Sequence, residues 1–449
     1  MPFDLRDIPL DQKAEAALAA RGLAYRVIDP HDRAALAAWA QADSRGFHNA
    51  VPTEQELERE IGVISDRRVH GVYDPTLDEP EIPVATVASW PTGLSVPGGR
   101  SVDGWAVSSV TVAATHRRRG VARALMEGEL HNAVAAGAAV AMLTATEATI
   151  YGRYGYAPAA RATTIEIDRR RVSWAGAAEP GRVQFVAPAV IREQAAAIAR
   201  RAVARTPGEI DRWPGLLDRV LGTHHPDSER SRAVRVARYD DRHDQPQGFV
   251  AFRVRHEGDM AGVIEFDFMA AASDEAERAL WRFLVEQDFV TRIRGRLRSI
   301  DEPLPWLLTD RRAISVTESH DHLWLRILDP VAALEARRYT GSGSLVLEVD
   351  DPQGYAAGRF ELEFSAKGHA EVRRLEQGAP DATAYAARRS RPAQGLRLGV
   401  AELAAIYLGD VAPSLLARAG RVVETTPGSL ALADRLFSSP RAPHLSVWF

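Results

Sequence analysis

Residues 110–123 read Val110-Thr111-Val112-Ala113-Ala114-Thr115-His116-Arg117-Arg118-Arg119-Gly120-Val121-Ala122-Arg123, an apolar strand that feeds a basic turn and then a helix. A turn of this kind can hold a diphosphate. The first N–H groups of a helix have no partner within it, and the macrodipole places partial positive charge there. The guanidinium groups of Arg117, Arg118, Arg119 and Arg123 add full charges. Gly120 lets the backbone approach a ligand, and the small Ala122 keeps a branched Cβ out of the way. Val110, Thr111 and Val112 at the strand end and Val121 at the helix start complete the candidate cofactor lining. Alone, the arginine run reads equally well as a solvated helix start, so its surroundings decide.

Downstream of the turn, Ala122, Leu125, Met126, Leu130, Ala133 and Val134 recur at helical spacing, the stripe of a helix packed on a sheet. Upstream, Tyr25 to Ile28, Val69 to Tyr73, Val84 to Trp90 and Trp105 to Val112 read as strands, and Asp32 as the cap of a helix carrying Leu36 and Trp39. The stretch to Gly22 is Ala-rich and reads as a short helical appendage. After a further strand, Ala139 to Thr144, comes Thr146-Glu147-Ala148-Thr149-Ile150-Tyr151-Gly152-Arg153-Tyr154-Gly155-Tyr156, a short helix with its aromatics. The order predicts an α/β (α+β) sheet layer with helices against it.

Composition narrows the function classes. The 449 residues exceed one ordinary core and suggest several domains, and 46% hydrophobic with 26% charged residues is ordinary globular chemistry. With no cysteine there are no disulfides and no thiolate sites, which makes a metal centre unexpected. A net charge of −4 argues against general nucleic-acid binding. No run approaches a membrane span and the start lacks a secretion-signal layout, so a cytoplasmic location is expected and no membrane partner. Lys13 and Lys367 are the only lysines, a choice that GC-rich coding bias explains better than selection against self-acylation.

The basic turn and the Tyr151 block together resemble the GNAT superfamily of N-acetyltransferases, whose Arg/Gln-x-x-Gly-x-Gly/Ala turn is matched by Arg117 through Ala122. The resemblance implies acetyl-CoA as cosubstrate, with Thr146 and Glu147 also near it, and assigns Tyr151 as proton donor to the departing thiolate. A thiol near ~8.5 and a phenol near ~10 are close enough to share a proton. Tyr154 and Tyr156 read as packing. Pro303 to Asp310, Leu323 to Ile327 and Ala332 to Arg337 extend the resemblance to the Eis (enhanced intracellular survival) family over nearly the whole chain. It implies an acetyltransferase domain at 1–165, a degenerate GNAT-like copy at 166–318 and a sterol carrier protein-like domain at 319–449. A homohexamer acting on primary amines, such as those of aminoglycosides, polyamines or lysines, is also implied.

The repeat is visible without the family. Val183 to Val186, Gly248 to Val254 and Val263 to Phe268 read as strands, the last running into a helix with Leu280, Trp281 and Leu284. Its turn, Ala271 to Glu277, is acidic, so the copy is not expected to bind coenzyme A. Leu345 to Val349 and Phe360 to Phe364 then alternate as half-buried strands, with helices expected at Val400 to Leu408 and Leu430 to Phe437. A lipid-carrier fold brings a rival expectation, a hydrophobic-ligand binding protein with a vestigial acetyltransferase domain. The intact basic turn and Tyr151 weigh against it.

An ammonium must lose its proton before attacking a thioester. His48 and His116 are loop candidates for that base, with Glu147 in reserve. The Eis resemblance instead implies the main-chain carboxylate of the last residue, here Phe449, and the ending Leu445-Ser446-Val447-Trp448-Phe449 is apolar enough to be buried. For the acceptor, the resemblance points to Asp43 and Phe47. Gly46 stands where the family has an acidic residue, a departure that either Asp43 or Glu54 compensates or that points to a smaller monoamine as the substrate.

Overall fold

Alternating and β-branched runs supply the strands, and a computed structural model describes them within residues 8–224, 228–257, 262–375 and 394–449. The first part of the chain forms β1 (Ala24–Val27), β2 (Arg68–Tyr73), β3 (Ala85–Val96), β4 (Arg100–Val112), β5 (Val140–Thr144) and β6 (Ala157–Asp168). The second forms β7 (Arg182–Val186), β8 (Arg235–Asp240), β9 (Pro246–His256), β10 (Gly262–Ala271), β11 (Val290–Arg298) and β12 (Ile314–Ile327). Among the described residues all twelve join one sheet, in the order β1-β2-β3-β4-β5-β12-β6-β11-β10-β9-β8-β7.

That order is an exchange. Each half is a run of antiparallel strands ending in one parallel pair, β4 with β5 and β10 with β11. The next position in each half is filled from the other: β12 lies antiparallel between β5 and β6, and β6 between β12 and β11. The expected domain edges therefore fall on exchanged strands. Residue 165 falls inside β6 and residue 319 inside β12, whose Leu323 to Ile327 are buried against β5 and belong to the shared sheet. Boundaries set by changes in pattern miss this, because an exchanged strand has the same alternation as any other.

The helix Val121–Ala135 packs on the first half with Leu125, Met126, Leu130 and Ala133 fully buried, while Val134, read as part of its stripe, is exposed. Beneath it Glu129 is buried among donors: the Trp105 indole at 3.0 Å, Asn132 at 3.3 Å and His70 at 3.1 Å. A buried carboxylate this well supplied stays charged: burial alone would raise its pKa, but His70 and the other donors hold it below the ordinary value.

The last region begins at the helix Pro330–Ala336, after β12, and holds a second sheet ordered β15-β14-β13-β16-β17. Its strands are β13 (Gly343–Asp350), β14 (Gly358–Phe364), β15 (Ala370–Leu375), β16 (Gly395–Gly399) and β17 (Val422–Glu424). Helices Val400–Tyr407 and Ser429–Phe437 close over Leu345, Leu347, Phe360, Leu362 and Leu398. Among the described residues no helix is long and apolar enough to cross a membrane, and no group of three or more His, Asp and Glu could hold a metal ion.

Candidate active site

β4 and β5 are paired only where Gly104, Trp105 and Ala106 face Val140, Ala141 and Met142. Beyond that the strands part, β4 running on to Val112 and β5 to Thr144. On the β4 side of the wedge Ser109 and Val110 together oppose Val87, a bulge with Ser109 at φ 55°, which leaves main-chain donors outside the ladder. Thr111 beside it is held by a 2.6 Å hydroxyl contact with Thr86.

The basic turn stands at the mouth of the wedge. Arg118 at φ 64° and Gly120 at φ 75° bend the chain into the helix Val121–Ala135, and among the described residues no side chain caps that helix. Its first N–H groups are thus left for a ligand, and its first turn carries no acid. Arg117, Arg118, Arg119 and Arg123 are exposed, Ala122 is half-buried, and a Cβ on Gly120 would come no closer than 3.5 Å to anything. The residues fit a diphosphate-bearing cofactor. His116 is not a free base: it is buried, with Nε2 on Asp74 at 3.0 Å and Nδ1 on Thr115 at 2.8 Å. It fastens the turn to the loop after β2. The hydrogen bonds of Thr76 and then of His116 hold the Asp74 carboxyl down at about 2.

The second half offers no such turn. Its helix Asp274–Val285 is capped by Ser273, which accepts from the Ala276 N–H at 3.0 Å. Asp274, Glu275 and Glu277 fill the first turn, with Arg205 and Arg441 on Asp274.

A cavity of about 450 Å³ opens behind the first-half wedge, lined by Val107 to Val110, Leu143, Thr144, Thr146, Tyr151 and Phe449. Tyr151 ends the short helix Ala148–Tyr151, buried against Tyr156 and Trp324 with ring centres at 6.3 Å. Burial, then Glu147 and Tyr154, raises its phenol above the ordinary value, so the hydroxyl keeps its proton. Tyr154 and Tyr156 are buried in the same cluster as packing residues. Glu147 is exposed at the start of that helix and His48 is exposed, neither lining the cavity.

Phe449 arrives from 305 residues further along: the Thr144 hydroxyl donates to its main-chain oxygen at 2.7 Å. The segment before it is tied at almost every step. His444 Nε2 meets the Leu297 carbonyl at 2.8 Å at the end of β11, and the Ser446 hydroxyl accepts from Arg212 at 2.9 Å. His322 Nε2 donates to the Val447 carbonyl at 2.8 Å, and Trp448 stacks on His320. The Phe449 ring sits edge-on to Trp90 at 5.6 Å.

The opposite wall holds residues the sequence reading passed over. Thr53 and Glu56 form a capping box for the helix Glu54–Ile64, which brings Glu60 and Val63 to the cavity; Arg67 follows it. Trp213, Arg219 and His224 come from the second half. Of the acceptor candidates, Phe47 lines the cavity. Asp43 lies behind Ser109, where burial and then Glu60 raise it to about 7. Glu54 is exposed at the helix start, away from the cavity. Gly46 has no room for a side chain, since a Cβ would stand 2.5 Å from that of Thr111.

Comparison with known proteins agrees with this geometry. Residues 28–159 and 208–327 each match an acetyltransferase (GNAT) domain family, and residues 330–446 a sterol carrier protein domain family. The N-acetyltransferase Eis of Mycobacterium tuberculosis is 34% identical over 358 residues, 77% of this chain and 81% of its own. The chain belongs to the Eis family of GNAT acetyltransferases. An uncharacterized N-acetyltransferase of Streptomyces avermitilis shares 35% identity over 429 residues, 93% of this chain and 97% of its own. Among solved structures, Eis1 from Mycobacterium abscessus is similar with a TM-score of 0.78 at 31% identity, covering 95% of this chain and all of that one. As an Eis-family acetyltransferase the chain uses acetyl-CoA, which suits the uncapped helix and its arginines.

Proposed function

We propose that the protein transfers an acetyl group from acetyl-CoA to a primary amine, with Tyr151 as general acid and the Phe449 carboxylate as general base. The observation that carries this is the meeting of Tyr151 and Phe449 in one cavity at the wedge between β4 and β5. Acetyl-CoA supplies the thioester when bound. Arg117 to Gly120 and the N–H groups of Val121, Ala122 and Arg123 hold its diphosphate, while Val110, Thr111, Val112, Thr146 and the nearby Glu147 flank the rest. A carboxylate that already accepts from Thr144 is oriented to take the proton of an entering ammonium. The Tyr151 hydroxyl, kept protonated by its surroundings, gives a proton to the leaving sulfur.

The acceptors in view are amines of the aminoglycoside, polyamine or lysine type, with Phe47 and Asp43 at or behind the pocket wall. Release of coenzyme A thiol that depends on added amine, with an N-acetylated product seen by mass spectrometry, tests the reading. Thiol release without acetylated amine overturns it. A homohexamer and a cytoplasmic location go with it, and sedimentation tests the first. The rival, an apolar-ligand carrier, is disfavoured by Arg337: its fully buried guanidinium donates to the carbonyls of Tyr407 and Phe437 inside the layer such a ligand would enter.

A further inference from the structure

The acceptor wall of the cavity carries two arginines, Arg67 and Arg219, beside Glu60. Arg67 lies over Trp90 at 4.0 Å from the ring centre and 5.6 Å from that of Trp213, so its guanidinium rests against the edge-to-face pair these two indoles form. No described carboxylate lies within ion-pairing distance of it, and it is largely removed from water. Arg219 lines the same cavity, and its guanidinium donates to the Trp448 carbonyl at 3.3 Å. Two guanidiniums therefore share a small volume, and burial and then, against the pull of Glu60, their mutual repulsion bring Arg67 down to about 10. It stays charged at neutral pH.

The nearby carboxylates do not pair with Arg67. Glu60 lines the cavity and is exposed, as Arg219 is, and Asp43, raised to about 7, lies behind Ser109 and outside the cavity lining. Gly46 excludes an acid at its own position, because Thr111 fills the space. Phe449 carries the remaining carboxylate, and on the proposed mechanism that group receives the amine. A polycation entering here would bring several charges to meet two arginines. An amine with its own anion would place the ammonium at Phe449 and leave the anion to Arg67 and Arg219.

Resting on the acetyltransferase reading, we infer that the preferred acceptor is a primary amine bearing a carboxylate, an amino acid-like zwitterion, with Arg67 as the residue that selects it. Trp90, Trp213 and Phe47 would enclose its apolar body.

The test uses the full chain and acceptors paired by carbon skeleton, phenylalanine against phenylalaninamide and 4-aminobutyrate against 4-aminobutanamide, with spermidine as polycation; rates are compared per unprotonated amine. The acids should exceed their amides in kcat/KM by about tenfold or more, and exceed spermidine. In Arg67→Gln the acid-to-amide ratio should fall towards one, and Arg67→Lys should keep part of it. Thermal melts of both variants establish that they are folded. Amides or spermidine used as well as or better than the acids overturn the inference and leave the acetyltransferase reading standing. So does an unchanged ratio in folded Arg67→Gln. Failure of every amine to be acetylated removes both.

Discussion

The Thr144 hydroxyl and the main-chain oxygen of Phe449, 2.7 Å apart, join the parted end of β5 to the last residue of the chain. This one hydrogen bond sets the candidate base beside the wedge where the thioester would lie. Its position depends on a tail held by His444, Ser446, Val447 and Trp448, not on any local element.

An appended residue should therefore do damage. Adding a single Gly after Phe449 replaces the carboxylate by a peptide carbonyl and is expected to lower kcat by about 10²-fold or more. The melting temperature should move little, because the anchoring contacts of residues 444–448 are untouched. Equal rates for native and extended chains would exclude the terminal base.

Tyr151→Phe keeps the ring contacts with Tyr156 and Trp324 and removes only the hydroxyl. The expected result is kcat lower by about 10²-fold with the acetyl-CoA KM nearly unchanged. A change confined to KM would make the hydroxyl a binding group and not a proton donor.

Fastening of the basic turn can be tested apart from chemistry. His116→Ala leaves Asp74 without its 3.0 Å partner and the turn without its tie to the β2 loop. The acetyl-CoA KM should rise about tenfold, a loss of about 1.4 kcal/mol in binding, with kcat at saturation largely kept. If His116 were the base, kcat would collapse.

Acid should loosen the tail. His322 donates from Nε2 to the Val447 carbonyl, and its buried Nδ1 has no partner among the described residues, so a second proton there is unwelcome. Burial, and then His444 and His320 against the Val447 carbonyl, push its pKa down to about 4. An unfolded histidine titrates near ~6.5, so between these values the unfolded chain binds more protons. Stability is thus full above about 6.5, falls as the pH drops through that window, and levels off below about 4, a change of about 3 kcal/mol. His322→Gln should flatten this slope in melts taken across the window.

One acetyl-CoA should bind per chain. The second helix start is already capped by Ser273 and faced by Asp274, Glu275 and Glu277, which repel a diphosphate. Calorimetry giving two sites per chain would contradict this.

What could be read from the sequence was what is local. The turn from Arg117 to Gly120 and the block around Tyr151 are contiguous, so charge, glycine and spacing suffice to find them. The acidic turn of the second half was legible for the same reason. Arg67, Trp90, Trp213 and Arg219 were not, because each looks like an ordinary surface or core residue until three distant segments converge. Thr53-x-x-Glu56 did signal the helix that carries Glu60, and weighing that capping box would have found it. Residues 165 and 319 fall within the exchanged strands β6 and β12, and nothing in either strand announces which half it will enter.

The exchange of β6 and β12 bears on how such a chain is made and kept. A ribosome that has delivered residue 168 has emitted every residue of the basic turn and Tyr151, yet β5 still lacks its neighbour. That edge stays open until β12 emerges, a non-local pairing more than 150 residues away. A gene that shed its degenerate middle section would leave an unpaired strand beside the wedge and remove the support of the tail. The second copy, with its capped and acidic helix start, thus lends the first a strand it cannot do without, and deletions there should surface as insoluble protein before they surface as altered specificity.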